Sequence, residues 1–229
     1  MLDRIISEAP RFFTYYNMVF LLEAMGRTLL MTLIGVSLGF VLGFMLDFAR
    51  RTPGRAWLPL RLAATLYVET FRRIPFLVIL FIVLFAIQGF RFSVSLFGVA
   101  MIAICVISSA FCAEIIRAGF DSIHQTQWDT AAVMNFGRLQ TLRHVVLPQA
   151  WRVILPPAFA FMVMFIKDTA LASQLGVVEL TFAGKVLSTR GFSAILVFGT
   201  VLVLYFVLSY PLSRLGGWLE RRLAPSRGR

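Results

Sequence analysis

Apolar residues in this chain come in long blocks, not in the short alternations of strands or the half-apolar stripes of surface helices. Blocks of about twenty apolar residues recur, which is the length a helix needs to cross ~30 Å of hydrocarbon. The pattern predicts five helical spans. The first covers 28–48, after a mixed-charge, amphipathic stretch over 1–27 that reads as an interfacial lead-in helix. The block 58–87 is too long for one straight span, since thirty residues rise roughly 45 Å. It contains Glu69, Arg72, Arg73 and Pro75, and a break is expected near 73–75 because proline removes a helical hydrogen bond. Its spanning part should begin at about Pro75. The third span is expected over 95–116. The fourth starts near Arg152, contains Pro156 and Pro157, and meets Lys167, Asp168 and Thr169. A short amphipathic helix over 175–190 is followed by the fifth span, 194–212, and a basic tail over 216–229.

One stretch does not fit a bilayer. Between the third and fourth spans, 120–151 is long, amphipathic and punctuated by helix signals. Thr126 with Asp129 fits a capping box. A short helix should run from Gln127 to about Met134 and stop at Asn135, the commonest stand-in for glycine in a left-handed turn. A second helix, from Arg138 to Val146, should stop before Pro148. Two short helices around a sharp turn suit insertion into a partner's groove.

Composition sharpens the class. Of 229 residues, 59% are hydrophobic and only 14% charged, whereas soluble domains run nearer half apolar and a quarter charged. The fold class is therefore all-α integral membrane. The net charge of +11 does not indicate nucleic acid, because the arginines flank apolar blocks instead of forming a stripe. With five spans the termini lie on opposite sides. N-terminus outside and C-terminus cytoplasmic places thirteen Lys/Arg inside, Arg227 and Arg229 among them, against six outside, the bias that sets orientation. The stretch 120–151 is then cytoplasmic. The first residues hold acids and a proline where a signal peptide needs an apolar run, so they read as mature sequence. Cys105 and Cys112 share one apolar helical face and read as packing residues, not as a disulfide or metal pair.

Several residues invite chemistry. Gly35, Gly39 and Gly43 recur every four positions and give the first span a smooth stripe for close helix approach. Lys167 and Asp168 stand at membrane depth, where charges are costly and usually face a cavity or snorkel to the interface. With Thr169 they are candidates for a substrate pathway or gate. Glu114 is three residues from Arg117, a spacing that favours an intrahelical ion pair over a pathway role. Glu69, Arg72 and Arg73 divide between a gate network and cytoplasmic interface anchoring. Nothing beside His124 or His144 suggests a metal site.

The loop carries a family resemblance. Asp129-Thr130-Ala131, then Asn135, then Val145-Val146-Leu147-Pro148 resembles the EAA motif of membrane subunits from bacterial ABC importers, with its acid, small residues, glycine and I-x-L-P ending at the same spacing, and Gly137 and Arg138 fall within the same coupling loop. Asp replaces Glu, Thr the first Ala, and Asn the Gly. The segments VETFRRIPFLV, SSAFCAEIIRAGFDSI and LPQAWRVILPPAFAFMVMFIKDTALAS are similar to those of polar amino acid permeases, with Arg73 and Ile74 standing for Gly-Thr, and the resemblance covers roughly 26–180. It implies the type I ABC importer membrane-domain fold, with 28–215 as the permease domain and 127–148 as the ATPase-coupling loop. It also implies a multi-pass subunit of the bacterial cytoplasmic (inner) membrane. Its partners would be a second copy or paralogue, a cytoplasmic ABC ATPase homodimer and an extracytoplasmic amino-acid-binding protein. ATP and Mg would be bound by that ATPase, since Gly184-Lys185 lacks the flanking residues of a phosphate-binding loop, and no cofactor or catalytic residue is expected in this chain. The competing expectation is a secondary carrier that moves small zwitterionic solutes on an ion gradient. A membrane-embedded enzyme finds no nucleophile, metal cluster or paired carboxylates to support it.

Overall fold

The structure is a computed structural model and describes residues 2–223. Its elements are helical throughout the described residues: α1 (Leu2–Phe12), α2 (Tyr15–Arg51), α3 (Leu58–Phe71), α4 (Phe76–Gly89), α5 (Leu96–Asp121), α6 (Gln125–Val133), α7 (Arg138–Thr141), α8 (Leu147–Asp168), α9 (Leu180–Thr189) and α10 (Ala194–Leu223). A π turn (Leu142–Val146) joins α7 to α8, and a 3-10 helix (Thr169–Leu175) prolongs α8. Four stretches are long and apolar enough to cross a membrane, five if the bent pair α3–α4 counts as one. The expectation of an all-α, multi-pass fold is met.

Two boundaries differ from the sequence reading, one at each end of the chain. The lead-in helix does not extend to residue 27: α1 ends at Phe12 and α2 begins at Tyr15. Leu21, Ala24, Thr28 and Met31 are buried at steps of three and four, so one helical face continues unbroken into the span. Glu23 and Arg27 stay on its exposed side, and their charge does not interrupt it. At the other end of the chain, α10 runs on to Leu223, so most of the expected tail is helix. Arg227 and Arg229, within 224–229, lie outside the described residues, as does the side chain of Arg138.

The break in 58–87 falls where proline demands it. Pro75 is the N-cap of α4, with φ −58° and ψ 139°, and α3 and α4 meet at a bend of 119°. The residue before a proline is pushed out of helical geometry, which ends α3 just upstream. Fourteen residues of α4 rise only about 21 Å, so α3 must supply part of the crossing.

Packing is organised by α5. The Gly39 and Gly43 face of α2 lies directly against it: a side chain at Gly43 would place its Cβ 2.7 Å from the Ala113 amide nitrogen and 2.8 Å from the Ser109 carbonyl oxygen. No other helix pair among the described residues touches over so long a stretch. The central core combines Met31 and Val36 of α2, Phe76, Ile79 and Leu80 of α4, Ile104 of α5, and Phe161 and Phe165 of α8. One end of the molecule is closed by Leu21, Leu180, Leu187 and Val197, which join α2, α9 and α10. Here α1 is fastened by Glu8, which accepts hydrogen bonds from Arg4 Nε and the Ser193 amide, each at 2.6 Å. The Arg4 guanidinium beside it, and then the Ser193 N–H, hold its carboxyl below the usual carboxylate range. The opposite end is closed by Ile116, Phe120, Val146, Ala150 and Ile154, where α5 meets the central loop.

Candidate functional site

The central loop is built from its ends inward. Helix α5 stops at Ser122, whose hydroxyl donates to the Gly119 carbonyl at 2.7 Å. Only Ser122, Ile123 and His124 separate it from α6. His124 is extended, with φ −60° and ψ 141°, and its Nδ1 accepts the Thr126 amide at 3.3 Å. The imidazole is therefore the cap, and the capping box expected from Thr126 and Asp129 does not form. So short a link leaves no room for Thr126 to precede the helix. Asp129 instead accepts from Gln125 Nε2 at 3.1 Å, one turn earlier.

Asn135 does what the sequence requires of it. Its φ is 56°. Its amide donates to Ala132 O and that of Phe136 to Ala131 O, both at 3.0 Å, the paired closure of a helix ending in a left-handed residue. Gly137 N then donates to the Gln140 side chain at 2.9 Å, which starts α7. The second short helix does not stop before Pro148: α7, the π turn and α8 form one continuous helical rod. Pro148 has no amide and would crowd the carbonyl four residues back. The wide turn relieves this, with the Leu147 amide bonding to Leu142 O, five residues back.

The loop has an inner and an outer face. Ala131 and Val146 are buried, and Trp128, Leu142, Val145 and Leu147 pack toward the end of α5. Gln149 Nε2 ties α8 back to α6 through Gln127 Oε1 at 3.2 Å. Outward, Val133 is 83%, Met134 60% and Leu139 77% exposed. Three large apolar side chains at the turn of an otherwise polar loop are what a partner's groove would cover. Asp129, Thr130, Gly137 and Pro148 are also exposed. Behind the loop lies a hollow of about 640 Å³, lined by Phe44, Phe48, Phe120, Trp128, Phe136 and Leu142 among others.

The pathway candidates fall into two separate sets. Lys167 is exposed and Asp168 half-buried at the end of α8, while Thr169 is buried with its hydroxyl donating to Ile166 O at 2.6 Å. Glu114 and Arg72 line a different cavity, of about 290 Å³, beside Phe111, Ile115, Val153 and Pro157. Pro157 is ten residues from Lys167 along α8, about 15 Å at a helical rise. Glu114 pairs within its helix with Arg117, as its spacing suggests. It also receives Arg72 Nη1 at 3.3 Å and Arg50 Nη1 at 3.4 Å. Glu69 pairs with Arg73 at 2.6 Å on an exposed helix turn, apart from this cluster.

Two buried acids were not singled out in the sequence. Asp47 is fully buried and accepts from Arg51 Nε at 2.7 Å. Glu179 is fully buried and caps α9, accepting from the Thr181 and Phe182 amides at 2.9 and 2.7 Å and from the Tyr205 hydroxyl at 2.9 Å. An acid immediately ahead of an amphipathic helical stretch is a capping signal that could have marked Glu179.

A bundle of apolar helices around a broken span, with a two-helix loop presented at one end, defines the membrane-embedded subunit of a transporter. The chain belongs to the family of binding-protein-dependent transport system inner membrane components, which matches residues 35–225, and it has the type I ABC importer membrane-domain fold. It is 36% identical over 166 residues to the L-cystine transport system permease protein TcyB of Bacillus subtilis, covering 72% of this chain and 71% of that one. To the glutamine transport system permease protein GlnP of Escherichia coli K12 it is 32% identical over 205 residues, covering 89% and 92%. A solved amino acid ABC transporter with histidines superposes with a TM-score of 0.82 at 26% identity, covering 91% of this chain and 98% of that chain.

Proposed function

We propose that this chain forms the translocation pathway for polar amino acids in an ATP-driven importer of the bacterial cytoplasmic membrane. It receives its solute from an extracytoplasmic binding protein, pairs with a second copy or paralogue, and takes its energy from a cytoplasmic ATPase homodimer that binds ATP and Mg. The chain itself is the non-catalytic member. The observation that carries this reading is the loop turned at Asn135, with Val133, Met134 and Leu139 exposed at its tip. An ion-driven carrier would leave that surface without an occupant. The names of the related permeases, for cystine and glutamine, support a small zwitterionic solute. The arginine bias supports an orientation with the loop in the cytoplasm.

In this mechanism, ATP-driven closure of the ATPase pair moves α6 and α7, and the free energy of ATP biases the spans between inward- and outward-facing arrangements. Lys167, Asp168 and Thr169 at the end of α8 are the residues proposed to line the route of the solute, with Glu114, Arg72 and Glu69 nearer the loop. The deciding experiment is co-purification with an ATPase, followed by hydrolysis measured with and without loaded binding protein. Stimulated hydrolysis is expected, and uptake driven by an ion gradient with this chain alone would overturn the reading. Asn135→Pro should abolish coupled uptake, because proline cannot adopt φ 56° and would lose the amide bond to Ala132 O.

A further inference from the structure

Where α2 and α5 end, seven charged side chains meet: Asp47, Arg50 and Arg51 from α2, Arg72 from the end of α3, and Glu114, Arg117 and Asp121 from α5. Their contacts are of two kinds. Those that join α2 to α5 through Arg51 are tight. Its Nη2 reaches Asp121 Oδ1 at 2.8 Å and the Arg117 carbonyl at 3.2 Å, while its Nε holds Asp47 at 2.7 Å. Together with the backbone contact at Gly43, they make α2 and α5 one body at this end.

Tyr67 of α3 bonds α5 at Val106 O and Ser109 Oγ, at 3.0 and 2.9 Å, but the charged contact with α3 is different in kind. Arg72 reaches only one oxygen of Glu114, at 3.3 Å, and shares that oxygen with Arg50. Its Nε is buried without an acceptor, and its remaining support is the Phe111 ring, 5.9 Å away. A guanidinium held by one long ion pair, with a donor unsatisfied, is poorly fixed compared with the bidentate pairs arginine usually makes. It also borders the cavity of about 290 Å³ that Val153 and Pro157 of α8 line as well, which leaves space for it to move. Arg72 lies three residues before Pro75, inside the break between α3 and α4. Glu114 lies on the helix that leads, after three residues, into α6.

We propose that Glu114 is a positioning residue for transport: its ion pair with Arg72 is the charged contact between the α2–α5 body and the α3–α4 break, and it is broken and remade in each cycle. A push on α6 reaches the end of α5, displaces Glu114 relative to Arg72, and frees the break to shift toward the cavity. The intrahelical partner Arg117 keeps Glu114 charged and oriented while Arg72 is away. This rests on the reading of the chain as the pathway subunit of an ATP-driven importer.

The test uses the full transporter, reconstituted in liposomes with its ATPase and binding protein, and reads ATP hydrolysed per solute taken up. Glu114→Gln keeps the shape and removes the charge. It should raise hydrolysis in the absence of binding protein and lower uptake per ATP about tenfold, the usual size of a coupling effect. Arg72→Gln should do the same, Arg72→Lys should recover part of the loss, and the double variant Glu114→Gln/Arg72→Gln should be no worse than either single one. Glu220→Gln, an exposed acid on α10, should change nothing. If Glu114→Gln does not assemble, the Arg72 variants carry the test from a partly exposed position. An unchanged ratio of uptake to hydrolysis in every assembled variant, or fully additive losses in the double variant, overturns the proposal. Failure of the unmodified chain to couple hydrolysis to uptake would instead overturn the importer reading on which it stands.

Discussion

Asn135 and Gly43 are two residues whose identity is set by backbone geometry. Asn135 holds a φ of 56°, a region that costs an ordinary L-residue about 1–2 kcal/mol. Asn135→Gly should therefore assemble and transport as well as the unmodified chain. Asn135→Val should lower the thermal stability of the complex by roughly that amount and reduce coupled uptake more than its stability loss explains. Thermal unfolding and liposome uptake, measured side by side, check both. Gly43→Val should cost more, about 1–3 kcal/mol of overpacking, because the new Cβ would meet the backbone of α5 at 2.7–2.8 Å, not the tip of a flexible side chain. Both residues were legible in the sequence, since few residue types satisfy a left-handed turn or a backbone contact. His124 was not: imidazole is an uncommon cap, and only the three-residue link from α5 forces it into the role. The same holds for Arg72, where sequence spacing shows the break but not that Glu114, forty-two positions on, reaches it.

Elements defined by a long apolar block or a proline came through the sequence clearly, and elements defined by continuity did not. The break at Pro75 and the α5 span follow from local chemistry alone. The merging of α7 and α8 across Pro148 does not, because the π turn that makes it possible depends on Val146 and Ala150 being buried against Ile116 and Phe120. The loop elements make the sharpest prediction at this scale. Val133, Met134 and Leu139 stand at the turn between α6 and α7 and are largely exposed, Leu139 also bordering the hollow behind the loop. Met134→Asp or Leu139→Asp should leave the fold and its thermal stability unchanged while weakening ATPase retention about tenfold or more, the effect of losing an interface anchor. Co-purification from detergent, with the unmodified chain as reference, measures it. Equal recovery of ATPase with both variants would remove these residues from the interface.

At the scale of the whole molecule, an apolar core is fastened at each end by a cluster of charged and hydrogen-bonded side chains. At the loop end the fastening is the charge cluster around Glu114. At the other it is a buried knot: Glu179 caps α9, Tyr205 of α10 donates to it, Thr181 meets the Tyr205 hydroxyl at 2.9 Å, and the Leu180 amide donates to Thr28 of α2 at 3.1 Å. Three helices distant in sequence are thereby joined through side chains that one-dimensional periodicity cannot pair. The exposed apolar faces of α4 and α10, with Phe81, Ile82 and Phe85 on one and Phe198, Leu202 and Phe206 on the other, are left for lipid or a second membrane subunit. If the knot fixes α9 against the bundle, Glu179→Ala should remove both the cap and the acceptor of Tyr205. It should cost about 1–3 kcal/mol, the usual penalty for orphaning buried donors. Tyr205→Phe, which removes a donor but leaves the cap, should cost less, about 0.5–1.5 kcal/mol. The comparison is made by thermal unfolding in lipid nanodiscs. A Tyr205→Phe loss as large as that of Glu179→Ala would mean that the amide bonds of the cap contribute little and that the Tyr205 hydroxyl carries the knot.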